Sequence, residues 1–419
     1  MGKRILIATT GSLGDLHPYM AVALELQARG HSVRIATANT YQKRIERAGI
    51  AFAPMGPHLE ATDTEVMSAA MDLKKGPEFL LRRLLYPAIP EAYLEVRKAL
   101  AGMDLLLTHA LAHAAHIAAE KTGVRWISTV LSPTSFFSRF DPPVPAPYPF
   151  LGRLRTFGPR INGFVQKFGR RMTRPWMEPV TRFRARLGLA AGDDPVFEGQ
   201  HSKELVLAMY SPILGGPQPD WPDRTVQTGF ALYDEDEPGR ALDPRVERFL
   251  DAGAPPVIFT LGSAAVHSSG DFYPDSVAAI RLLGCRAVLL TGENDVPRGL
   301  PPEIAAIPYA RFSKIFPRAS VVVHPGGIGT TAQALLAGKP MLVVPWAFDQ
   351  PDNAARLVRL GVARSLSRRK YDGRRALEAL EILRSQPGYA TAAEGSSRLV
   401  AAEDGTRCAS DEVERKLVA

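Results

Sequence analysis

The chain has 419 residues, too many for one ordinary hydrophobic core, so two domains of about 200 residues each are expected. Its 46% hydrophobic and 22% charged residues are typical of a soluble globular protein, and no run reaches the ~18 apolar residues a membrane span needs. The net charge of +8 is compatible with nucleic acid, anionic lipid or an anionic cosubstrate and does not choose among them; two distant cysteines, Cys285 and Cys408, exclude a disulfide framework or a zinc site by spacing.

From the N-terminus the chain alternates. Arg4 to Ala8 predicts a strand, Leu16 to Arg29 a helix, His31 to Ala38 a strand, Tyr41 to Ala48 a helix and Ile50 to Met55 a strand. This βαβαβ order points to a parallel sheet, extended by strands at Asp104 to Thr108 and Val124 to Val130 with the helical segment 112–123 between them. Asp141 to Pro149 is a proline-rich loop. Residues 153–186 interleave arginines with Phe157, Phe164, Phe168, Trp176 and Phe183 around a single acid, Glu178. Two readings stand: amphipathic helices whose aromatics join the core, or a cover over an apolar cleft or a patch touching anionic membrane. The segments 215–223 and 233–239 bracket an inter-domain linker. Beyond it strands are expected at Val257 to Leu261, Arg286 to Thr291, Val321 to Val323 and Met341 to Val344. Helices follow at Asp275 to Leu283, after Gly329, and at Asn353 to Leu360. The domains are therefore 1–214, a linker 215–240, 241–395, and a helical tail 396–419 that could lie across both.

Four turns after strands carry candidate chemistry. Gly11 to Pro18 lacks the G-x-G-x-x-G dinucleotide spacing and instead places Asp15 and His17 at a sheet edge; their bland roles are helix N-capping for Asp15 and surface exposure for His17. Gly262-Ser263 allows close approach and offers a hydroxyl. His324 to Thr331 combines a glycine turn with a helix N-terminus, which suits a phosphate, and it lacks the G-K-[ST] ending of a triphosphate loop. Asp349 and Gln350 pair a carboxylate with an amide, as recognition of adjacent sugar hydroxyls requires; Asp349 also suits a helix cap, a role for which Gln350 has no such reason.

GSLGDLHPYMAVALELQARGH, Gly262-Ser263 and HPGGIGTTAQALLAGKPMLVVPWAFDQPDNAARLVRLGVA together resemble the family 1 glycosyltransferases, over nearly the whole chain and nearest the bacterial branch of sterol, rhamnolipid and glycopeptide-antibiotic enzymes. The resemblance implies an α/β GT-B fold, two Rossmann-like parallel-sheet domains facing across a cleft. It implies an inverting hexosyl transfer from a UDP- or dTDP-sugar, used as cosubstrate without an obligatory metal or other cofactor, to a hydroxyl of an apolar small molecule or lipid. By position, Asp15 matches the general base, with His17 or His109 as partners that orient it or share its proton. Gly14, Ser263, Tyr309, His324, Gly326, Gly327, Ile328, Gly329, Thr330, Thr331 and Gln333 match donor contacts, and Asp349 and Gln350 match the sugar-binding pair.

The chain departs from the family at three places. Pro325 replaces a second histidine expected to reach the α-phosphate, Gln333 replaces a ribose-binding glutamate, and the aspartate that partners a histidine base in other branches falls near His109; Tyr309 lies where the family touches the nucleotide base, though glutamine or histidine is more usual there. A cytoplasmic protein is expected, monomeric or homodimeric, without a nucleic-acid partner, and with 153–186 available for contact at the inner membrane face. The rival functions are a nucleotide-sugar epimerase and a non-catalytic nucleotide-sugar-binding subunit.

Overall fold

The computed structural model describes residues 2–58, 64–234 and 242–418. Residues 235–239 of the anticipated linker boundary lie outside them. Two all-parallel sheets organise the chain. The first holds β1 (Arg4–Ala8), β2 (Ser32–Thr37), β3 (Ala51–Pro54), β4 (Leu105–His109), β5 (Trp126–Val130), β6 (Val206–Ala208) and β7 (Thr225–Gln227), in the order β3-β2-β1-β4-β5-β6-β7. The second holds β8 (Val257–Thr260), β9 (Ala287–Leu290), β10 (Ile304–Ile307), β11 (Val321–His324), β12 (Met341–Val343) and β13 (Ala363–Ser365), in the order β10-β9-β8-β11-β12-β13. Central strands such as β4 and β11 are buried along their whole length, because helices cover both faces of a parallel sheet. That is why they read in sequence as unbroken apolar runs.

Each sheet reverses its winding once. The reversal falls between β1 and β4 in the first sheet and between β8 and β11 in the second. In open α/β sheets the crevice at the carboxyl ends of the strands flanking such a reversal is where ligands bind. Asp15 follows β1 and His109 ends β4; Gly262-Ser263 follows β8 and the glycine turn follows β11.

Contacts divide the chain into a unit of residues 1–63, 74–233 and 403–419, and a unit of residues 64–73 and 234–402. This is a different division from the contiguous segments read in the sequence. Met71 is buried in the second unit's core cluster, which also holds Leu261 and Ala265. Residue 395 does not end an element, since one helix runs Pro387–Ala401 and its Ser397 hydroxyl donates to the Leu336 carbonyl at 2.6 Å. The final helix, Gly405–Val418, belongs to the first unit: Arg29 Nη1 reaches Asp411 at 2.6 Å and Glu414 at 2.8 Å. The segment 215–240 also contributes β7, an edge strand too short and polar to be marked by its residues.

Residues 153–186 divide between the two readings. Phe183 is buried and Trp176 packs against the first unit's core, as core aromatics would. Phe157, Phe164 and Phe168 are instead exposed, so the core reading fails over the helix Pro159–Thr173. That helix turns its small and polar side inward: Asn162 Nδ2 donates to the Arg139 carbonyl at 3.1 Å, and a Cβ on Gly163 would stand 3.6 Å from Arg139 Cδ.

Candidate active site

In the first unit the helix Leu13–Ala28 begins with a capping box. Ser12, not Asp15, is the N-cap, and its hydroxyl accepts the Gly14 N–H at 3.3 Å. Asp15 closes the box from the third helical position, its Oδ2 accepting the Ser12 N–H at 2.8 Å. Gly11 is required here. Its φ is +129° and a Cβ would lie 2.3 Å from Asp15 Oδ2. The box pins one carboxylate oxygen and leaves Oδ1 facing His109, whose Nε2 is 3.7 Å away. His109 Nδ1 accepts the Leu111 N–H at 3.4 Å, so the neutral ring carries its proton on Nε2, toward the carboxylate. Burial holds His109 below its usual pKa while the Asp15 charge pulls the other way.

His17 is not the exposed side chain expected of it. It packs edge-on to Tyr233 at 5.3 Å, and burial followed by the Arg44 charge lowers its pKa to about 4. Of the two histidines, only His109 stands at ion-pair distance from Asp15 among the described residues. At the first position of the next helix, His113–Thr122, His113 is buried with neither ring nitrogen hydrogen-bonded among the described residues, and its pKa is lowered to about 4 by burial and then by His109. It lines a small apolar cavity with Thr10, Met55, Leu85, Ile89 and Leu111. The 112–123 segment announced a helix and gave no sign that His113 would face such a cavity.

In the second unit, β11 runs directly into the glycine turn. Gly326 has φ +91°, and a Cβ there would lie 2.8 Å from Val343 Cγ1 and 3.1 Å from the Gln350 carbonyl. Gly327, by contrast, would meet nothing within 4 Å. It is the N-cap of the helix Ile328–Leu336 and supplies no side-chain cap, so the first-turn N–H groups of Ile328 and Gly329 keep the capacity of an anion site. Thr330, Thr331 and Gln333 are buried on that helix, and the Thr331 hydroxyl has no hydrogen-bond partner among the described residues. Gly262, at φ +62°, sets its Cβ position 3.4 Å from Thr330 Oγ1, which brings the turn that carries half-buried Ser263 against this helix. Tyr309 is 51% exposed, open enough to lie flat against a planar ring.

Pro325 leaves His324 as the histidine of this turn. The ring is fully buried, and burial lowers its pKa to about 3, so it is neutral at physiological pH. Nδ1 accepts the Gly326 N–H at 3.1 Å, which puts the proton on Nε2. Nε2 is buried and has no partner among the described residues. A buried N–H donor without an acceptor is costly unless a ligand completes it.

The turn after β12 carries Phe348 at φ +55°, an unusual conformation for a bulky residue. Gln350 has a structural role that was not anticipated: its Oε1 accepts the Trp346 N–H at 2.8 Å and the Ala347 N–H at 3.2 Å, holding the turn closed. Only its amide NH₂ remains for a sugar. Asp349 occupies the N-cap position of the helix Gln350–Arg359 and makes no capping bond with its side chain. Its Oδ2 accepts from Asn353 Nδ2 at 2.7 Å, and the same nitrogen donates to the Gly326 carbonyl at 2.9 Å. Asn353 thereby ties the carboxylate turn to the glycine turn. Its spacing of four from Asp349 was the one available hint.

Two doubly wound parallel sheets, each with polar groups gathered at its winding reversal, define a two-domain protein of the GT-B class. Residues 5–135 match the glycosyltransferase family 28 N-terminal domain, and residues 287–419 match the erythromycin biosynthesis protein CIII-like C-terminal domain. The O-mycaminosyltylonolide 6-deoxyallosyltransferase of Streptomyces fradiae is 32% identical over 96% of this chain and 94% of its own length. Among solved structures, the glycosyltransferase of kitacinnamycin superposes with a TM-score of 0.71 at 24% identity, covering 99% of both chains. SsfS6 from Streptomyces sp. SF2575, solved with thymidine diphosphate, gives 0.67 at 20% identity over 99% of both. The chain belongs to the antibiotic-type glycosyltransferases with the GT-B fold.

Proposed function

We propose that the protein transfers a hexose from a nucleoside-diphosphate sugar to a hydroxyl of an apolar natural-product or lipid acceptor, inverting the anomeric centre. The observation that carries this reading is Asp15, with one oxygen fixed by the capping box and the other turned to His109. In the reaction the acceptor O–H gives its proton to Asp15 Oδ1 as its oxygen attacks C1 from the face opposite the leaving group. The C1–O bond to the diphosphate breaks, and the nucleoside diphosphate departs. His109 Nε2–H orients the carboxylate and keeps its negative charge in place; His17 takes no part.

The departing charge falls to the N–H groups at Gly327 to Thr330, to the His324 Nε2–H and to the Ser263, Thr330 and Thr331 hydroxyls, without an obligatory metal. In this assignment His324 fills the place that Pro325 vacates. Asp349 and the Gln350 amide take sugar hydroxyls, Gln333 the ribose and Tyr309 the base. Thymidine diphosphate in SsfS6 favours dTDP-sugars ahead of UDP-sugars. The deoxyallosyl transfer named for the Streptomyces fradiae relative makes a deoxyhexose a candidate sugar, and the exposed aromatics of residues 140–172 favour a hydrophobic acceptor.

Asp15→Asn keeps an acceptor for the capping box while removing the base. It should lower kcat by about 10²–10⁴ with nucleotide affinity unchanged. Turnover equal to that of the parent enzyme would remove Asp15 from the base role.

A further inference from the structure

Eight of the fifteen large apolar side chains exposed among the described residues lie between Phe140 and Met172, so exposure is concentrated rather than scattered. Phe157, Ile161, Phe164, Phe168 and Met172 follow one another at spacings of three and four and form a single outward stripe on and just before the helix Pro159–Thr173. Phe164 is 73% and Phe168 60% exposed, although they sit on a well-formed helix. The helix is held by its other side, through Asn162 and Gly163. No acid occurs from 142 to 177. Arg155 and Arg170 are paired, with Asp141 and Glu198, whereas Arg160, Lys167, Arg171 and Arg174 have no ion partner among the described residues.

We propose that this face docks on an anionic lipid bilayer, with the aromatic stripe entering the headgroup–acyl boundary and the four unpaired cations meeting lipid phosphates. Apolar area alone would suit many occupants; the charge selects one. A second copy meeting the same patch across a two-fold axis would set these cations against their own images. An anionic surface satisfies the stripe and its basic flank together. Docking would hold the first unit where hydrophobic acceptors are concentrated, and it stands independently of the catalytic assignment.

The test is flotation of the full chain with vesicles of phosphatidylcholine, alone or mixed with phosphatidylglycerol. Binding is expected to the mixed vesicles only and should weaken with added salt. Phe164→Ser with Phe168→Ser should lower partitioning by about tenfold or more, and Lys167→Glu with Arg171→Glu should abolish the preference for anionic lipid. All four positions are exposed, so circular dichroism and the urea midpoint should be unchanged, confirming that the variants fold. The proposal is overturned if the parent chain ignores anionic vesicles or if the folded variants bind as it does. It is equally overturned if the chain self-associates without lipid and the phenylalanine substitutions abolish that, which would assign the face to a second copy.

Discussion

Asn353→Leu tests how the donor half of the site is held together. The Asn353 side chain is fully buried, and its Nδ2 joins the Gly326 carbonyl at 2.9 Å and Asp349 Oδ2 at 2.7 Å. Leucine preserves the approximate volume and removes both bonds. Each is worth about 0.5–1.5 kcal/mol net, and a buried Gly326 carbonyl deprived of this donor adds a further penalty of about 1–3 kcal/mol. A loss of about 2–6 kcal/mol in unfolding free energy follows, readable as a lower urea midpoint at constant m-value. Because Asp349 and the glycine turn are freed from one another, thymidine diphosphate should also bind more weakly in calorimetric titration. A midpoint within about 0.5 kcal/mol of the parent protein, the range of an ordinary surface substitution, would refute the tie.

Gly326→Ala forces a Cβ to 2.8 Å from Val343 Cγ1 at φ +91°, and should cost about 2–4 kcal/mol in urea unfolding; Gly327→Ala, with open space at its Cβ, should cost far less. His324→Ala removes the Nε2–H offered to phosphate and should weaken thymidine diphosphate about 10–100-fold by calorimetry, whereas unaltered affinity would place the phosphate elsewhere. His113 and His324 have pKa values lowered to about 4 and about 3 against 6.5 in the unfolded chain. As pH falls below 6.5 the unfolded chain takes up protons that these buried rings refuse, so stability drops toward pH 4 by about 1.4 kcal/mol per pH unit for each. His113→Leu should flatten that slope between pH 6.5 and 5 in urea titrations.

Strands β1, β4, β5, β8, β9, β11 and β12 were legible because burial on both faces turns each into an apolar run, whereas the buried three-residue strand β6 and the edge strand β10 went unread. The edge strands β7 and β13, Thr-Val-Gln and Ala-Arg-Ser, have no such run, since one side of an edge strand meets no neighbour and needs little apolar cover. The insertion of Met71 into the second unit's core could not be read from periodicity, because a single buried methionine leaves no repeat. An amphipathic pattern also has no sign. The spacing of Phe157, Phe164 and Phe168 is the same whether the stripe faces in or out, and the Asn162 bond to the Arg139 carbonyl decided it. At the site, the glycine turn and Asp15 were visible as motifs of neighbouring residues. The bond-holding role of Gln350, the choice of His109 over His17, and the bridge made by Asn353 depend on distances between segments, which linear spacing does not contain.

Incubation of the protein with dTDP- and UDP-hexoses and a panel of hydrophobic alcohols and phenols, followed by mass spectrometry and NMR of the products, tests the transferase reading most directly. The account predicts an acceptor enlarged by one sugar through an oxygen link, with the anomeric configuration opposite to that of the donor and one nucleoside diphosphate released per transfer. A sugar nucleotide isomerised without any acceptor, or one bound and left unchanged with every acceptor, would contradict it.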